Sequence, residues 1–438
     1  MFRKKIVSIC LQAAVVFGAA LPLFAFGTND AAGAGTNGQK VKISVWHSFV
    51  GADQRAEFMA KRMADFKAAN PDIEVDEQKI PRDQYQTKLK TLAAAGELPD
   101  GFLIWPNSMT KEFSSAGLLA DINDLLESDK VWRDSLLPRA LQEFTFNGKT
   151  YSAGLGVSLT SELFYNKAIF NKYNVKVPET WEELKTAIDV FKKNGIIPIT
   201  LGNKAKWPAQ SEIFSVVANR WTGSEWLDNV LAGKNAKFTD SQFISALDTM
   251  RQLADMGAFN KDYNSIDDVQ MRNYFYRGEA AMMIQGSWVL PDIIKNTPAD
   301  FKANIGITVF PAFSGGKGDP SVMTGVSSTG IAINKKTTAA QKAALKKLIV
   351  FLTNADAQVM YTQYYIPVSS RSVKLDTASV DTLYAQTVEL MKAHPLVTVY
   401  DSALNSEQTE IINNGLQGIM LRTMQPMDVA KQLQATIR

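Results

Sequence analysis

Apolar and polar side chains alternate along several short segments of the chain, and the segments between them repeat their apolar side chains at helical spacing. The segment 41–47, VKISVWH, has the period of two that is typical of a strand. The segment 53–71, DQRAEFMAKRMADFKAANP, has the helical period and ends at an Asn-Pro pair. Residues 72–80 alternate again, 83–95 return to the helical period, and 101–104 form a short apolar run. The pattern therefore predicts strand, helix, strand, helix, strand.

This order predicts the doubly wound α/β class, in which helices cover both faces of a parallel sheet. The same kind of pattern continues beyond residue 150. It predicts strands at 162–166, 196–200 and 280–285, and helices at 179–194, 209–221, 239–257, 268–277 and 338–353. Ligands of such sheets collect at the carboxyl ends of the strands. Because His47 ends the first predicted strand and Trp105 ends the third, both are candidate ligand-binding residues.

Composition and charge narrow the range of partners. The chain has 438 residues, 46% of them apolar and 21% charged, which is ordinary for a globular protein and favours two lobes over a single core. Residues 1–27 hold three of the 47 basic residues and none of the 44 acidic ones, so the rest of the chain is formally neutral. A neutral chain without a basic stripe has little to drive binding to a phosphate backbone. We therefore expect no nucleic-acid partner.

The N terminus has the plan of a secretory leader, with a basic cluster, an apolar stretch and small residues that predict cleavage near Gly27. The apolar stretch approaches the ~20 residues that span a bilayer, so an uncleaved anchor is the alternative. Pro22 and the small-residue exit favour cleavage. Cys10, the one cysteine of the chain, lies too early for a lipid attachment site. We expect an exported protein whose residues 28–40 form a flexible tether after the signal peptide 1–27.

Common catalytic and cofactor signatures are missing from the sequence. It contains no HExxH, paired CxxC, GxxxxGK[ST], complete GxGxxG or GxSxG motif, so no metal and no cofactor are predicted. Two histidines and no cysteine after the leader leave a pair of carboxylates, as in glycoside hydrolases, as the remaining catalytic possibility. The glycines of FSGGKGD resemble a phosphate cradle, but a solvent loop is the favoured interpretation.

Aromatic residues supply the candidate chemistry instead. Three of the eight tryptophans, Trp105, Trp207 and Trp288, stand among loop residues. A flat apolar face bordered by hydrogen-bonding groups suits a sugar, whose ring shows C–H groups on its faces and hydroxyls at its rim. From its position at the strand end, Trp105 fits a core side chain that closes the end of the sheet as well as it fits a ligand-binding residue. Trp132, Trp181 and Trp226 stand at predicted helix starts, and they and Trp46 are expected to be structural.

Several longer segments occur in a specific order: ISVWHSF, FKAANPDIEV, KLKTLAAAGELPDGF, SSAGLLADINDLL, NGKTYSAGLGVSLTSELFYNKAIFNKYNVKVPETWEELKTA, GIIPITLGNKAKWP, FYRGEAAMMIQGSW and VFPAFSGGKGDPSVMTGVSSTGIAINK. With this order and spacing, the chain from about residue 40 onward resembles the family 1 extracellular solute-binding proteins, the substrate receptors of sugar-type ABC importers. The resemblance implies two α/β lobes of the type II periplasmic-binding-protein kind, joined by a hinge, with the ligand held between them. It places the N-terminal lobe at 41–157 and 303–356 and the C-terminal lobe at 158–302 and 357–438, with crossings near 155–160, 302–306 and 355–360.

The resemblance also implies which residues line the cleft. By position they are His47, Trp105, Asn107, Ser158, Thr160, Trp207, Gln285, Trp288, Gly325, Ser327, Tyr400 and Asp401. The acidic residue that is usual among the first-lobe contacts is not obvious in this sequence. Arg82 and Asp83 are the nearest charged candidates, which leaves the pattern of sugar hydroxyls open.

The expected function is that of a periplasmic receptor. It captures a mono- or oligosaccharide by hinge closure and presents it to ABC permease subunits in the inner membrane, as a monomer and without catalysis. One alternative is a secreted carbohydrate-active enzyme, which would need two carboxyl groups roughly 5 to 10 Å apart across the cleft. Another is a receptor for a polyol, glycerol phosphate or a peptide. A lone arginine facing the ligand would favour an anion.

Overall fold

The computed structural model describes residues 40–51, 55–371, 373–376 and 378–437. The predicted signal peptide, its cleavage site and the predicted tether, except for Lys40, lie outside the described residues. Within the described ranges no helix is both long enough and apolar enough to cross a bilayer.

The strands of the described residues are short, and most are separated by helices. They are β1 Val41–His47, β2 Ile73–Lys79, β3 Gly101–Ile104, β4 Leu119–Ala120, β5 Thr145–Phe146, β6 Lys149–Thr150, β7 Val157–Leu159, β8 Glu162–Asn166, β9 Ile197–Thr200, β10 Ala280–Gln285, β11 Ile305–Thr308, β12 Met323–Ser327, β13 Gly330–Asn334 and β14 Leu396–Val397.

Every helix that the pattern predicted is present, together with shorter helices that it did not predict. They are α1 Arg55–Ala69, α2 Arg82–Ala95, α3 Ser108–Ser115, α4 Asn123–Ser128, α5 Lys130–Ser135, α6 Pro138–Gln142, α7 Lys167–Lys172, α8 Trp181–Lys193, α9 Ser215–Thr222, α10 Trp226–Leu231, α11 Ser241–Asp255, α12 Asp268–Tyr276, α13 Leu290–Asn296, α14 Ala299–Ala303, α15 Ala339–Thr353, α16 Ala355–Gln363, α17 Thr382–Ala393, α18 Tyr400–Ala403, α19 Ser406–Met420 and α20 Pro426–Ala435. A π-helix at Ala209–Phe214 precedes α9, and a 3₁₀ turn at Ser287–Val289 precedes α13.

The first sheet has the order β2-β1-β3-β13-β4. Strand β1 runs parallel to β2 and β3, as the strand–helix alternation predicts. Strand β13 runs antiparallel to β3 and β4, so the sheet is mixed and not wholly parallel. The reason is connectivity, because β13 enters this sheet after the chain has passed through the second one. The side chains around this sheet form the first core, which includes Phe58, Phe102 and Leu345.

The second sheet has the order β11-β8-β10-β9, with β10 parallel to β9 and antiparallel to β8. Both of its faces are covered, which explains why β10 reads as the nearly continuous apolar run AAMMIQ. Met282 and Ile284 of β10 belong to the large second core, whereas Met283 packs into a smaller cluster on the opposite face.

The expected lobe boundaries differ from these pairings at two places. Strand β11 pairs antiparallel with β8 of the second sheet, although residues from 303 onward were expected in the N-terminal lobe. Conversely, Tyr361 and Ile366 pack into the first core, although residues from 357 onward were expected in the C-terminal lobe. Both differences arise because long-range packing decides to which lobe these short segments belong, and a local sequence pattern does not encode that packing.

The chain passes between the two cores three times. It leaves the first core after Leu155 and returns to it at Ile331. It leaves again after Ile366 and joins the smaller cluster of the second sheet at Leu383. We call these passages the crossing segments, and a third sheet of order β14-β12-β7 holds two of them together. An added Cβ at Gly156 would stand 2.6 Å from the carbonyl oxygen of Pro367, so the crossing segments approach each other too closely for a side chain there.

Local sequence chemistry explains the helix start at Trp181. Thr180 and Glu183 form a reciprocal capping box, and the indole of Trp181 stacks on Phe313 with ring centres 5.1 Å apart. Trp181 is buried in the second core, so the expectation that it is structural is confirmed.

Candidate functional site

A cavity of about 800 Å³ lies between the two lobes and is lined by residues from both. We call it the large cavity. Trp105 contributes from the first lobe, Trp207 and Trp288 contribute from the second, and Ser158 and Ser327 contribute from the crossing segments. Its size is in the range of small-molecule sites, which are commonly ~300 to 1,000 Å³.

Trp105 occupies the turn between β3 and α3. Its carbonyl oxygen accepts a hydrogen bond of 2.7 Å from the Thr110 hydroxyl, and its ring packs at 5.9 Å from that of Tyr85. The next residue but one, Asn107, has a positive φ of 57°, which turns the chain sharply into the helix. The indole therefore lies at the carboxyl end of a sheet strand, half-buried, with one side packed and part of it facing the cavity.

The other two tryptophans form a pair on the opposite wall. The rings of Trp207 and Trp288 meet edge to face, with centres 6.0 Å apart. An added Cβ at Gly286 would stand 2.1 Å from the Trp288 ring. Gly286 is therefore required at this position, because any side chain there would collide with the indole that folds back over the main chain.

The buried side chain of Gln285 holds the Trp288 indole in place. Its Oε1 accepts a hydrogen bond of 3.0 Å from Trp288 Nε1, and its Nε2 donates to Glu212 and to Asp268. Gln285 and Glu212 are fully buried. Burial and the nearby charge of Asp268 raise the pKa of Glu212 well above its ordinary value. Burial thus disfavours the charged form of Glu212, and Arg272 pairs with Asp268 in the same network.

Arg82 extends from the first turn of α2 across the cavity. Its guanidinium lies 3.9 Å from the centre of the Trp207 ring and 6.0 Å from that of Trp105. Burial lowers its pKa, and the charge of Asp401 opposes that effect. Within the described part of the chain, its guanidinium has these ring contacts but no hydrogen bond or ion pair with a protein oxygen.

Seven of the predicted site residues line the large cavity together: Trp105, Ser158, Thr160, Trp207, Trp288, Ser327 and Asp401. Thr160 belongs to a hydroxyl cluster, with its Oγ1 2.6 Å from that of Thr324. The carboxylate of Asp401 accepts a hydrogen bond of 3.1 Å from Ser211. Burial raises the pKa of Asp401, and the nearby Arg82 counteracts the shift.

The other five predicted residues are not on this lining. His47 is buried, with Nε2 2.9 Å from Glu77 and Nδ1 accepting a bond from the Phe49 amide. Although burial opposes it, the hydrogen bond and charge of His47 lower the pKa of Glu77 to about 2. His47 therefore differs from its prediction, since both ring nitrogens are used inside the first lobe.

Tyr400, Gly325, Asn107 and Gln285 lie close behind the lining. Tyr400 packs its ring on Phe214 in the second core. The carbonyl of Gly325, in the third sheet, accepts a hydrogen bond of 2.8 Å from Arg139 of α6. Asn107 donates a bond of 3.0 Å to the Ser402 hydroxyl across the lobes. Each of these four residues lies within three positions of a residue that lines the large cavity.

Helix α19 contributes a polar wall that the sequence reasoning missed. The lining residues of this helix are Ser406, Glu407, Thr409, Glu410, Asn413 and Asn414. Their spacing of three and four residues puts them on one helix face, opposite the buried Ile412, Leu416 and Ile419. A polar face at helical spacing was the available signal, but the same pattern is typical of any solvated helix.

Contacts between the lobes flank the cavity. The Ser108 hydroxyl donates a hydrogen bond of 3.0 Å to the Asp401 carbonyl, and Lys90 donates one of 2.7 Å to Ser406. Elsewhere between the lobes, Lys295 pairs with Glu57 at 2.6 Å. The walls of the cavity therefore touch each other around a space large enough for a small solute.

Known proteins resemble this chain in sequence and in fold. The multiple sugar-binding protein of Streptococcus mutans is 28% identical over 327 residues, which cover 73% of this chain and 74% of that protein. A structure from work on xylan utilization by the thermophilic bacterium Caldanaerobius polysaccharolyticus has a TM-score of 0.83 and 26% identity, and the match covers 91% of this chain and 100% of that one.

A chitin oligosaccharide binding protein shares the fold with a TM-score of 0.82 at 23% identity, over 90% of this chain and 97% of that one. Residues 51–359 match the family described as bacterial extracellular solute-binding protein. Since that match spans most of the chain, this protein belongs to the bacterial extracellular solute-binding proteins.

Proposed function

We propose that this protein captures a mono- or oligosaccharide in the large cavity and delivers it to the permease of an ABC importer. The observation that carries the proposal is the convergence of three indoles, Trp105, Trp207 and Trp288, on one cavity whose remaining lining is mostly polar. Indole faces pack against the C–H faces of a sugar ring, and surrounding hydroxyl, amide and carboxylate groups bond to its rim. The names of the relatives, which concern sugars, xylan and a chitin oligosaccharide, favour the same ligand class.

The proposed cycle is an equilibrium between an open and a closed arrangement of the lobes. A ligand that touches Trp105 on one wall and Trp288 on the other interacts fully only when the lobes are together, so binding shifts the population towards closure. The crossing segments would bend, because they join two separate cores. We propose that the protein acts in the periplasm as a monomer and that the permease recognises the closed form.

The test is a thermal-shift screen of the protein against sugars, polyols and glycerol phosphate, followed by isothermal titration of any hit. A ligand at about 100 times its dissociation constant should add about 2.7 kcal/mol of stability. Stabilisation by one sugar class supports the proposal. Stabilisation by glycerol phosphate and by no sugar would favour an anion receptor that uses Arg82.

The enzyme alternative has its own measurement. A carbohydrate-active enzyme would convert the sugar that stabilises it, so chromatography after a long incubation would reveal a shorter product. We propose binding without turnover, and we expect the ligand to be recovered unchanged. A product whose yield depends on a cavity carboxylate such as Asp401 would overturn this part of the proposal.

A further inference from the structure

A second cavity of about 230 Å³ adjoins the large one and is also lined by both lobes. We call it the small cavity. Arg82, Trp207 and Trp288 line both cavities, so these side chains form the boundary that the two cavities share. The volume of the small cavity is many times the ~10 to 15 Å³ that one water molecule needs, so the cavity has room for several water molecules.

One side of the small cavity is apolar and includes a valine whose side chain is not buried in a core. Val269, in the first turn of α12, is 51% exposed. The large hydrophobic residues that are exposed within the described ranges are Val131, Val269, Val359, Leu421 and Met427, and of these only Val269 lines either cavity. Val50 faces the same space from the first lobe. An apolar surface that lines the same cavity as the Trp288 ring suits the C–H face of a sugar.

The polar side of the small cavity is nearly balanced in charge. Its lining includes Arg55, Arg82 and Arg272 together with Asp83, Asp267, Asp268 and Asp292. Arg272 is paired with both Asp268 and Asp292. An anionic or cationic ligand group would therefore meet charges of both signs, whereas hydroxyl groups can donate to the carboxylates and accept from the Arg82 guanidinium. The chemistry favours an uncharged polyhydroxy group.

We propose that the small cavity is a second compartment of the ligand site, which takes one further neutral sugar unit of an oligosaccharide that extends along the side chains lining both cavities, Arg82, Trp207 and Trp288. The inference rests on the proposed function, since it assumes that the large cavity holds a sugar. It goes beyond that function by excluding a monosaccharide as the best ligand. It also assigns recognition of chain length to Val50, Arg82 and Val269.

The test compares matched ligands of increasing length by isothermal titration with the intact protein. The probes are the malto-, xylo- and chito-oligosaccharide series, each from the monosaccharide to the pentasaccharide. In the series that binds, we expect affinity to rise by about tenfold at the length that reaches the small cavity. Equal affinity for all lengths, or tightest binding of the monosaccharide, overturns the inference and leaves the proposed function standing. Binding of no sugar at all overturns both.

A substitution that fills the small cavity sharpens the test. Val269→Trp places a bulky ring in the small cavity without altering a residue of the large one. We expect about a tenfold loss of affinity for the long oligosaccharide and no change for the short one. Val359→Trp is the matched control, since Val359 is 49% exposed on α16 and lines neither cavity. Equal losses for both lengths, or no loss for the long one, contradict the inference.

Val50→Trp repeats the experiment from the opposite wall and decides the matter if Val269→Trp does not fold. Circular dichroism melting curves establish which variants are folded before any titration. The same selective loss for long ligands is expected, because the ring would enter the same space from the first lobe. A Val50→Trp protein that binds long oligosaccharides normally contradicts the inference.

Discussion

The guanidinium of Arg82 lies 3.9 Å from the centre of the Trp207 ring and thereby joins the two walls of the large cavity. Arg82 belongs to a helix whose Tyr85 and Leu89 are buried in the first core, whereas Trp207 precedes the π-helix of the second lobe. A contact that exists only when the lobes meet contributes to the closed arrangement. A cation–π contact of this kind is worth about 0.5 to 2 kcal/mol.

Arg82→Ala should shift the ligand-free protein towards the open arrangement. Compared with the wild type, we expect a larger radius of gyration in small-angle scattering and a weaker affinity for the ligand. Arg277→Ala is the control, because Arg277 lies 5.5 Å from the Tyr274 ring on a single lobe and lines neither cavity. If Arg82→Ala and Arg277→Ala scatter alike, the contact does not hold the lobes together.

Trp288→Ala should weaken ligand binding more than it weakens folding. Its ring is half-buried at the cavity, so its removal costs more than ~1.4 kcal/mol of binding free energy, which is tenfold in dissociation constant. Trp105→Ala should act in the same direction by a smaller amount. Isothermal titration and urea denaturation measure the two effects separately.

Trp181→Ala is the opposite case and serves as the comparison. Its indole is 8% exposed and stacks on Phe313 in the second core, so truncation should cost about 3 to 5 kcal/mol of unfolding free energy. The variant that remains folded should bind normally. Normal affinity in Trp288→Ala, combined with a comparable loss of stability, would show that Trp288 is a core residue.

Gln285 should act on binding through Trp288. Gln285→Leu removes the acceptor for the indole N–H and leaves Glu212 without its donor, so we expect both weaker binding and about 1 to 3 kcal/mol lower stability. In a Trp288→Phe background, which has no indole N–H, Gln285→Leu should cost little further affinity. An undiminished loss in that background would mean that Gln285 contacts the ligand directly.

Glu162 should make stability depend on pH. Burial raises its pKa from 4.5 to about 8, although Thr387 donates a hydrogen bond of 2.9 Å to Oε1. Because the folded state binds this proton more tightly than the unfolded state, the stabilisation is complete below pH 4.5 and is lost as pH rises to about 8. Above that value no further loss from this group is expected.

The measurement is urea denaturation of the wild type and of Glu162→Gln at about pH 5 and pH 8. Glutamine keeps the acceptor for Thr387 but carries no titrating proton, so the wild type should lose stability relative to the variant as pH rises. Glu389→Gln, on an exposed helix face, controls for loss of a carboxyl group in general. A difference between wild type and Glu162→Gln that stays constant with pH contradicts the buried, protonated carboxyl.

Local periodicity was enough to predict the first three strands and the two helices between them. The alternation of 41–47 and 72–80 and the helical spacing between them correspond to β1, α1 and β2, because side chains of one period must face one core. The same reasoning placed Trp105 at a strand end and Trp181 at a capped helix start. These features depend on neighbours within a few residues, which the sequence shows directly.

Residues far apart in the chain decided the rest. Whether Ile305–Thr308 joins the first or the second sheet depends on its pairing with Glu162–Asn166, and a short apolar run contains no record of its partner. Likewise, the sequence predicted a helix from residue 83, directly after Arg82, whereas only the tertiary structure decided that Arg82 would begin this helix and reach Trp207. Long side chains take their direction from the packing around them, and that packing exists only once the two lobes have formed.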